Sequence, residues 1–571
     1  MPLLVLLLLA LGCGHAASAP SSVPAPSGRR VAQSSPPQRT VTNGDVTAAA
    51  AQISDEMRAL LRAEGELLWT RWTTGNGPMP ASALAEHPRL AQRESIEIVD
   101  AAAARASEPP ARAALGLLAQ QLTTLAIARE AGAEIEALER GRMQLTFAAP
   151  GETRATVGER DLQRLLAEEP NAQKRALIAQ AEAKAAQPLA PLAVARDAAV
   201  EKAVERLEVG SWASLEERAH GMTLADLSKL AEATLLATED VTERAVQASS
   251  VRNLGITADR LRRADLPRMA RTAIADPHFA PGKAWPNVRD VLIKIGAPPP
   301  AAVRVDADPS PSKGARPLAL LVDPPRDVRL SLRPAGGFEE QRATLHEGAR
   351  VLGGALTSVP RWELAQLGDG SAAEAIALVF EALAGDPEWL RATTELRGEP
   401  LDDVVHTEAT RRLLAARRAA ALVLFEIRRR DGARSAEAQS ALYRGLLQRA
   451  LFCVLSDDDA GRWALEADTF IQTAAPLLGA VLGAQLEQKL GPSWWSSPQP
   501  ALRQLWAGGR SLTAVEAARA LGLAQLDPAA LAAMADARLR YSAPDAPPAT
   551  PKPDYKYMQG DKKKRRKAKK K

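Results

Sequence analysis

The chain has 571 residues, 46% hydrophobic and 25% charged, which is ordinary for a globular protein and enough for a large core or two to four domains. Its two cysteines, Cys13 and Cys453, exclude a disulfide framework and a thiolate zinc cluster. The net charge of +5 is uneven: from Lys552 onward eleven Lys/Arg face Asp554 and Asp561, a surplus of nine that leaves the rest of the chain at about −4.

The N-terminal run "MPLLVLLLLALGCG" is apolar but too short to span a bilayer, so it reads as a signal-peptide core. Leu9-Ala10-Leu11-Gly12-Cys13 resembles a bacterial lipobox, although Ala10 sits where Leu is usual and no Lys or Arg precedes the apolar run. In that reading residues 1–13 are a lipoprotein-like signal peptide and Cys13 becomes the lipidated first residue. Plain secretion with cleavage near Ala17 and Ala19 is the competing reading, and Pro20 hinders it; a mis-called start is the third. Residues 14–45, rich in Ser, Ala and Pro, form a tether. The expected location is the cell envelope, outside the cytoplasm.

Residues 46–250 are read as a helical N-terminal half. "AQISDEMRALLRAEGELLWTRW" places Ile53, Met57, Leu60, Leu61, Leu67 and Leu68 at helical spacing. Thr223 is placed to cap the helix in "TLADLSKLAEATLLATEDVTERAV". No fixed-period repeat, GxGxxG or Walker loop occurs, so nucleotide chemistry has no support. Residues 251–541 are read as a second half. Near 280–335 Pro and Gly become frequent, and "PLALLVDPP" and "RDVRLSLRP" form a hairpin with Pro324, Pro325 and Arg326 in its turn. Residues 542–571 form a basic tail. Nine of its last ten residues are Lys or Arg, so residues 562–571 repel one another, stay disordered and bind an anionic surface, with no specific nucleic acid expected. A solubilising tail without a partner is the bland alternative.

Between these features lies "ATLHEGARVLGG", residues 343–354, one letter from the H-E-x-x-H zinc motif. With "RPLALLVDPPRDVRLSLRPAGGFEEQR" before it, "LGDGSAAEAIALVFEALAGDPEWL" after it and "LEADTFIQTAAPLLGAVLGAQLEQKLGPSWWSSPQPALRQLWAGGRSL" further on, the chain resembles the thimet oligopeptidase/oligoendopeptidase F family of zinc metallopeptidases over about residues 46–540. The resemblance implies a mostly α, metallopeptidase-type fold with a deep cleft and a small sheet beside the motif helix. It makes His346 the first metal ligand, Glu347 the general base and Glu374, 28 residues on, the third ligand. Arg350 stands where the second histidine ligand belongs, Ala349 where a glycine precedes it, and Ile471 and Ala475 where substrate-holding tyrosines are expected.

These departures change the chemistry. Two imidazoles at i and i+4 share a helix face and grip one zinc. A guanidinium has no available lone pair and stays protonated. Beside a divalent ion ~4 Å away, at an effective dielectric of ~20, it adds roughly 8 kcal/mol of repulsion. His346 and Glu374 alone make a two-ligand site, too weak for a catalytic zinc. No cofactor is expected, unless the site still functions, in which case it is zinc. Arg350 is expected to pair with Glu347 or Glu374 instead. Among the remaining histidines, His15, His87, His220, His278 and His406, rescue of the ligand set is not expected. Trp494 and Trp495 read as packing rather than a sugar platform, and Cys453 as a buried apolar residue. The leading reading is an exported protein that has lost catalysis and binds peptides or a protein partner in its cleft. An active oligopeptidase with an unusual ligand set is the alternative, and a structural envelope lipoprotein the second.

Overall fold

A computed structural model describes residues 43–150, 156–432 and 434–543. The signal peptide, Cys13, all but the last three residues of the tether and all but the first two of the basic tail lie outside the described residues. The tether's last residues already belong to a helix, Asn43–Thr74.

The described chain is mostly helical, as the sequence predicts, and carries one two-stranded and one three-stranded sheet. No helix among the described residues is long and apolar enough to cross a membrane. A single large hydrophobic cluster draws on residues from Val46 to Ala543, and the helix Glu239–Leu254 runs across the expected 250/251 junction.

Seven helices position the candidate site: α1 (Asn43–Thr74), α2 (Trp212–His220), α3 (Leu224–Ala237), α4 (Phe338–Ala355), α5 (Ser371–Glu381), α6 (Gly398–Asp431) and α7 (Ala474–Leu490). The expected cap of α3 is present: the Thr223 hydroxyl accepts the amide of Asp226 at 3.0 Å.

The short sheet pairs β1 (Thr146–Phe147) with β2 (Val157–Gly158). The larger one contains β3 (Val303–Asp306), β4 (Leu318–Asp323) and β5 (Asp327–Ser331) in the order β3-β5-β4. The expected hairpin is β4–β5, with Pro324, Pro325 and Arg326 in the turn. β3 was not anticipated, and it pairs parallel to β5. Alternation puts Leu318, Leu320 and Val322 against Leu68 and Trp72 of α1, while Ala319, Val328 and Leu330 meet Val351 and Ala355 of α4. The motif helix therefore lies on one face of this sheet, and β4 is an edge strand.

Small residues set how closely the helices approach. On α7, a Cβ at Gly479 would stand 2.8 Å from Glu374 Cγ, and one at Gly483 3.0 Å from the Ala375 carbonyl oxygen. α7 thus presses α5, and Glu374 with it, toward α4. Before α5, Gly368 adopts φ +118, and a Cβ there would fall 2.2 Å from the backbone oxygen of Arg510. Backbone cannot move aside as a side-chain tip can. Gly368→Ala is expected to lower the unfolding free energy by about 1–3 kcal/mol, read from the midpoint of chemical denaturation.

Candidate functional site

The structure brings His346, Glu347, Arg350 and Glu374 together. The first three project from α4 within one turn of one another, and Glu374 faces them from the first turn of α5. The Nε2 of His346 lies 3.6 Å from Glu374 Oε2 and 3.9 Å from Glu347 Oε1. Its Nδ1 is 2.9 Å from Glu381 Oε2. Glu381 sits seven residues after Glu374, two helical turns along the same face, a spacing that could have flagged it in the sequence. Its other oxygen accepts Nη1 of Arg342 at 2.6 Å and Nη1 of Arg411 at 3.1 Å. Arg411 also grips Glu408 on its own helix, α6.

Arg350 is where the sequence puts it and does what a cation does. Its Nη1 donates to Glu347 Oε1 at 3.2 Å and to Oε2 at 3.4 Å. Glu347 Oε2 in turn accepts the backbone amide of Ala319, on edge strand β4, at 2.8 Å. The carboxylate placed to activate a water is thus held by a guanidinium on one side and a strand amide on the other. The four side chains keep between 14% and 31% of their surface exposed, so the group remains within reach of solvent.

The electrostatics follow from this crowding. Burial opposes charge on His346, but the carboxylates of Glu374 and Glu381 outweigh it and raise the imidazole to about 10. Burial likewise works against ionised Glu374, and the neighbouring His346 and Arg350 charges overcome it and lower its pKa. Glu381 is held well below the carboxylate range, against burial, by Arg342, His346 and Arg411. Arg350 is raised, first by the Glu347 charge.

No protein-family model matches the chain, and no curated protein matches it in sequence. The metal question is decided by the donors themselves. Zinc needs three protein ligands with lone pairs converging on one point. His346 and Glu374 supply two, the i+4 position supplies a permanent cation, and Glu347 is engaged by Arg350 and Ala319. Among the described residues no group of three or more His, Cys, Asp or Glu is arranged to hold a metal ion. The residues present do not fit zinc.

The other expected positions fall into place separately. Ile471 is buried, and its backbone amide donates to Glu216 Oε2 at 3.1 Å; Ala475 lies in the first turn of α7. His87 faces Glu56, His278 ends a 3₁₀ turn, and His406 Nε2 is 2.9 Å from the Tyr541 carbonyl, none of them beside His346. Trp494, Trp495 and Cys453 are buried in the core. Cavities of about 600 Å³ near Ser214 and Met222, and about 560 Å³ near Arg58 and Trp362, open elsewhere.

His220, on α2, forms a second buried cluster, which sequence spacing did not reveal. Its Nε2 lies 3.4 Å from Glu216 and its Nδ1 3.9 Å from Asp369, a fully buried carboxylate also held by the Ser371 amide and hydroxyl. Burial lowers its basicity, but Asp369 and Glu216 outweigh it and raise the pKa from 6.5 to about 9. A raised folded-state pKa contributes stability in full below the unfolded value, here 6.5, and loses it as pH rises through about 9. Relative to His220→Gln, the native chain is expected to lose up to about 3 kcal/mol of its advantage between pH 6.5 and 9.5, read by urea denaturation at each pH.

Proposed function

We propose that this protein is a non-hydrolytic, metallopeptidase-like binding protein that takes a peptide, or a peptide segment of a partner protein, in a cleft over α4 and α5. One observation carries the reading: Arg350 and the Ala319 amide together hold Glu347, the side chain that would otherwise prepare a water for attack. A general base must be free to take a proton from its water, and that water must be activated, here by a metal for which the donors are lacking. The partial exposure of His346, Glu374 and Arg350 supports binding over a purely structural role. The N-terminal lipobox-like run and the terminal Lys/Arg cluster support an exported, membrane-anchored setting near anionic surface.

The test uses the full chain purified without added metal. Zinc content is expected far below one equivalent, and cleavage of a quenched-fluorescence peptide library no faster than with Glu347→Gln. Arg350→His is expected to raise zinc content by restoring an imidazole. Stoichiometric zinc in the native chain, with hydrolysis abolished by Glu347→Gln, would establish the active oligopeptidase instead. Arg350→Ala is expected to cost roughly 1–3 kcal/mol in denaturation, because it leaves Glu347 without its cation.

A further inference from the structure

A second guanidinium, that of Arg510, lies within electrostatic reach of Arg350 and forms no ion pair among the described residues. Arg510 lies in the loop after the helix Pro500–Ala507. Its backbone amide donates to the Leu364 carbonyl at 3.1 Å, and its Nη2 to the Gly368 carbonyl at 3.3 Å. The guanidinium lies against Gly370, where a Cβ would meet Nη2 at 2.5 Å unless the arginine shifted. Its Nε is buried and has no hydrogen-bond partner. Among the described residues no carboxylate forms an ion pair with it. Asp369, the adjacent acid, is held by Ser371 and faces His220.

Burial and then the Arg350 charge lower the Arg510 pKa to about 10, against the opposing pull of Asp369 and Glu374, so the two cations stand in one another's field. Like charges held together in a partly desolvated place carry a cost unless an anion joins them. Arg350 donates to Glu347 through Nη1 alone, which leaves the rest of its fork available, and its side chain is 31% exposed. Arg510 lies at the positive end of α5, whose N-cap, Gly370, offers no side-chain acceptor, and Arg350 acts electrostatically on Glu374 in the first turn of the same helix.

We propose that Arg350 and Arg510 together receive the C-terminal carboxylate of the bound peptide. This rests on the peptide-binding reading above. A singly charged carboxylate suits the place better than a phosphate dianion, because the carboxylates of Glu374 and Asp369 lie close by and repel a second negative charge. The planar guanidinium matches a carboxylate with two parallel hydrogen bonds.

The experiment measures binding of two N-acetylated peptide pools to the full chain, one with free C-termini and one amidated, with inorganic phosphate as a third probe. The free-acid pool is expected to bind about tenfold or more tightly than the amidated pool, the scale of a charge-assisted hydrogen bond. Arg510→Met is expected to erase that preference while leaving affinity for the amidated pool unchanged, and Arg350→Gln, which also releases Glu347, to weaken binding of the free-acid pool more than of the amidated one. The two variants guard against one that fails to fold, which its thermal transition reveals. Equal binding of both pools by the native chain overturns the carboxylate site and leaves the peptide reading standing. Binding of neither pool overturns both. Arg510-dependent binding of phosphate, with neither pool bound, assigns the arginines to a small free anion and overturns the peptide terminus.

Discussion

The ion pair between Arg350 and Glu347 is the contact around which the site is arranged. The two residues lie three apart on α4, within reach of one another across a single turn. The guanidinium remains charged at any ordinary pH, so the cation of the pair is permanent. Glu347 Oε2 also accepts the Ala319 amide, so one helical side chain fastens α4 to the edge of the sheet. A residue type placed for proton transfer becomes a bracket between helix and strand.

The neighbouring carboxylates show the same substitution of fixed charge for an exchangeable one. Glu347, Glu374, Glu381 and Glu408 crowd the space between α4, α5 and α6, and left alone they would repel one another and lose their protonation balance. Arg342 and Arg411 answer Glu381, Arg411 answers Glu408, Arg350 answers Glu347, and His346 lies between Glu381 and Glu374. Every one of these carboxylates is matched by a side chain of the chain itself. Such a network favours one arrangement of the three helices, since removing any member strands a partner in a partly desolvated place.

The sequence made legible whatever depends on local spacing. The hairpin was visible because two Val/Leu-rich runs flank Pro324-Pro325-Arg326, and the α3 cap because Thr223 precedes an apolar periodicity. His346, Glu347 and Arg350 share a face by their spacing on one helix, whereas Glu374, 28 residues on, was placed beside them only by what the peptidase resemblance implies. β3 was missed: Val303-Arg304-Val305-Asp306 alternates, but four residues inside a Pro-rich stretch make too short a run to stand out, and they become a strand only because β5 lies beside them. The His220 cluster and Arg510 are tertiary products. Glu216 and His220 lie one turn apart on α2, but Asp369 joins them from about 150 residues away, and Arg510 reaches Gly370 across a similar gap, so no periodicity announces either meeting. The aromatic-free positions Ile471 and Ala475 were read correctly as unable to donate from their side chains. What they do instead was not visible, since the Ile471 contact to Glu216 is made by the backbone.

The edge of β4 bears on how a peptide could be recognised under the proposed function. An exposed edge strand offers outward amides and carbonyls to which an extended peptide adds by main-chain pairing. On β4 the outward amide of Ala319 is taken by Glu347, and the carbonyl of Leu321 accepts Nε2 of the buried Gln366 at 3.2 Å. A peptide pairing with β4 would have to displace both, and displacing Glu347 would also break the Arg350 pair. Each displaced group would exchange one satisfied hydrogen bond for another, so strand addition gains little net free energy at these positions. Under the proposed function, affinity must come from groups the fold leaves unmatched. The unshared donors of Arg350 and the unpaired guanidinium of Arg510 are such groups, and both call for a negatively charged end rather than a strand.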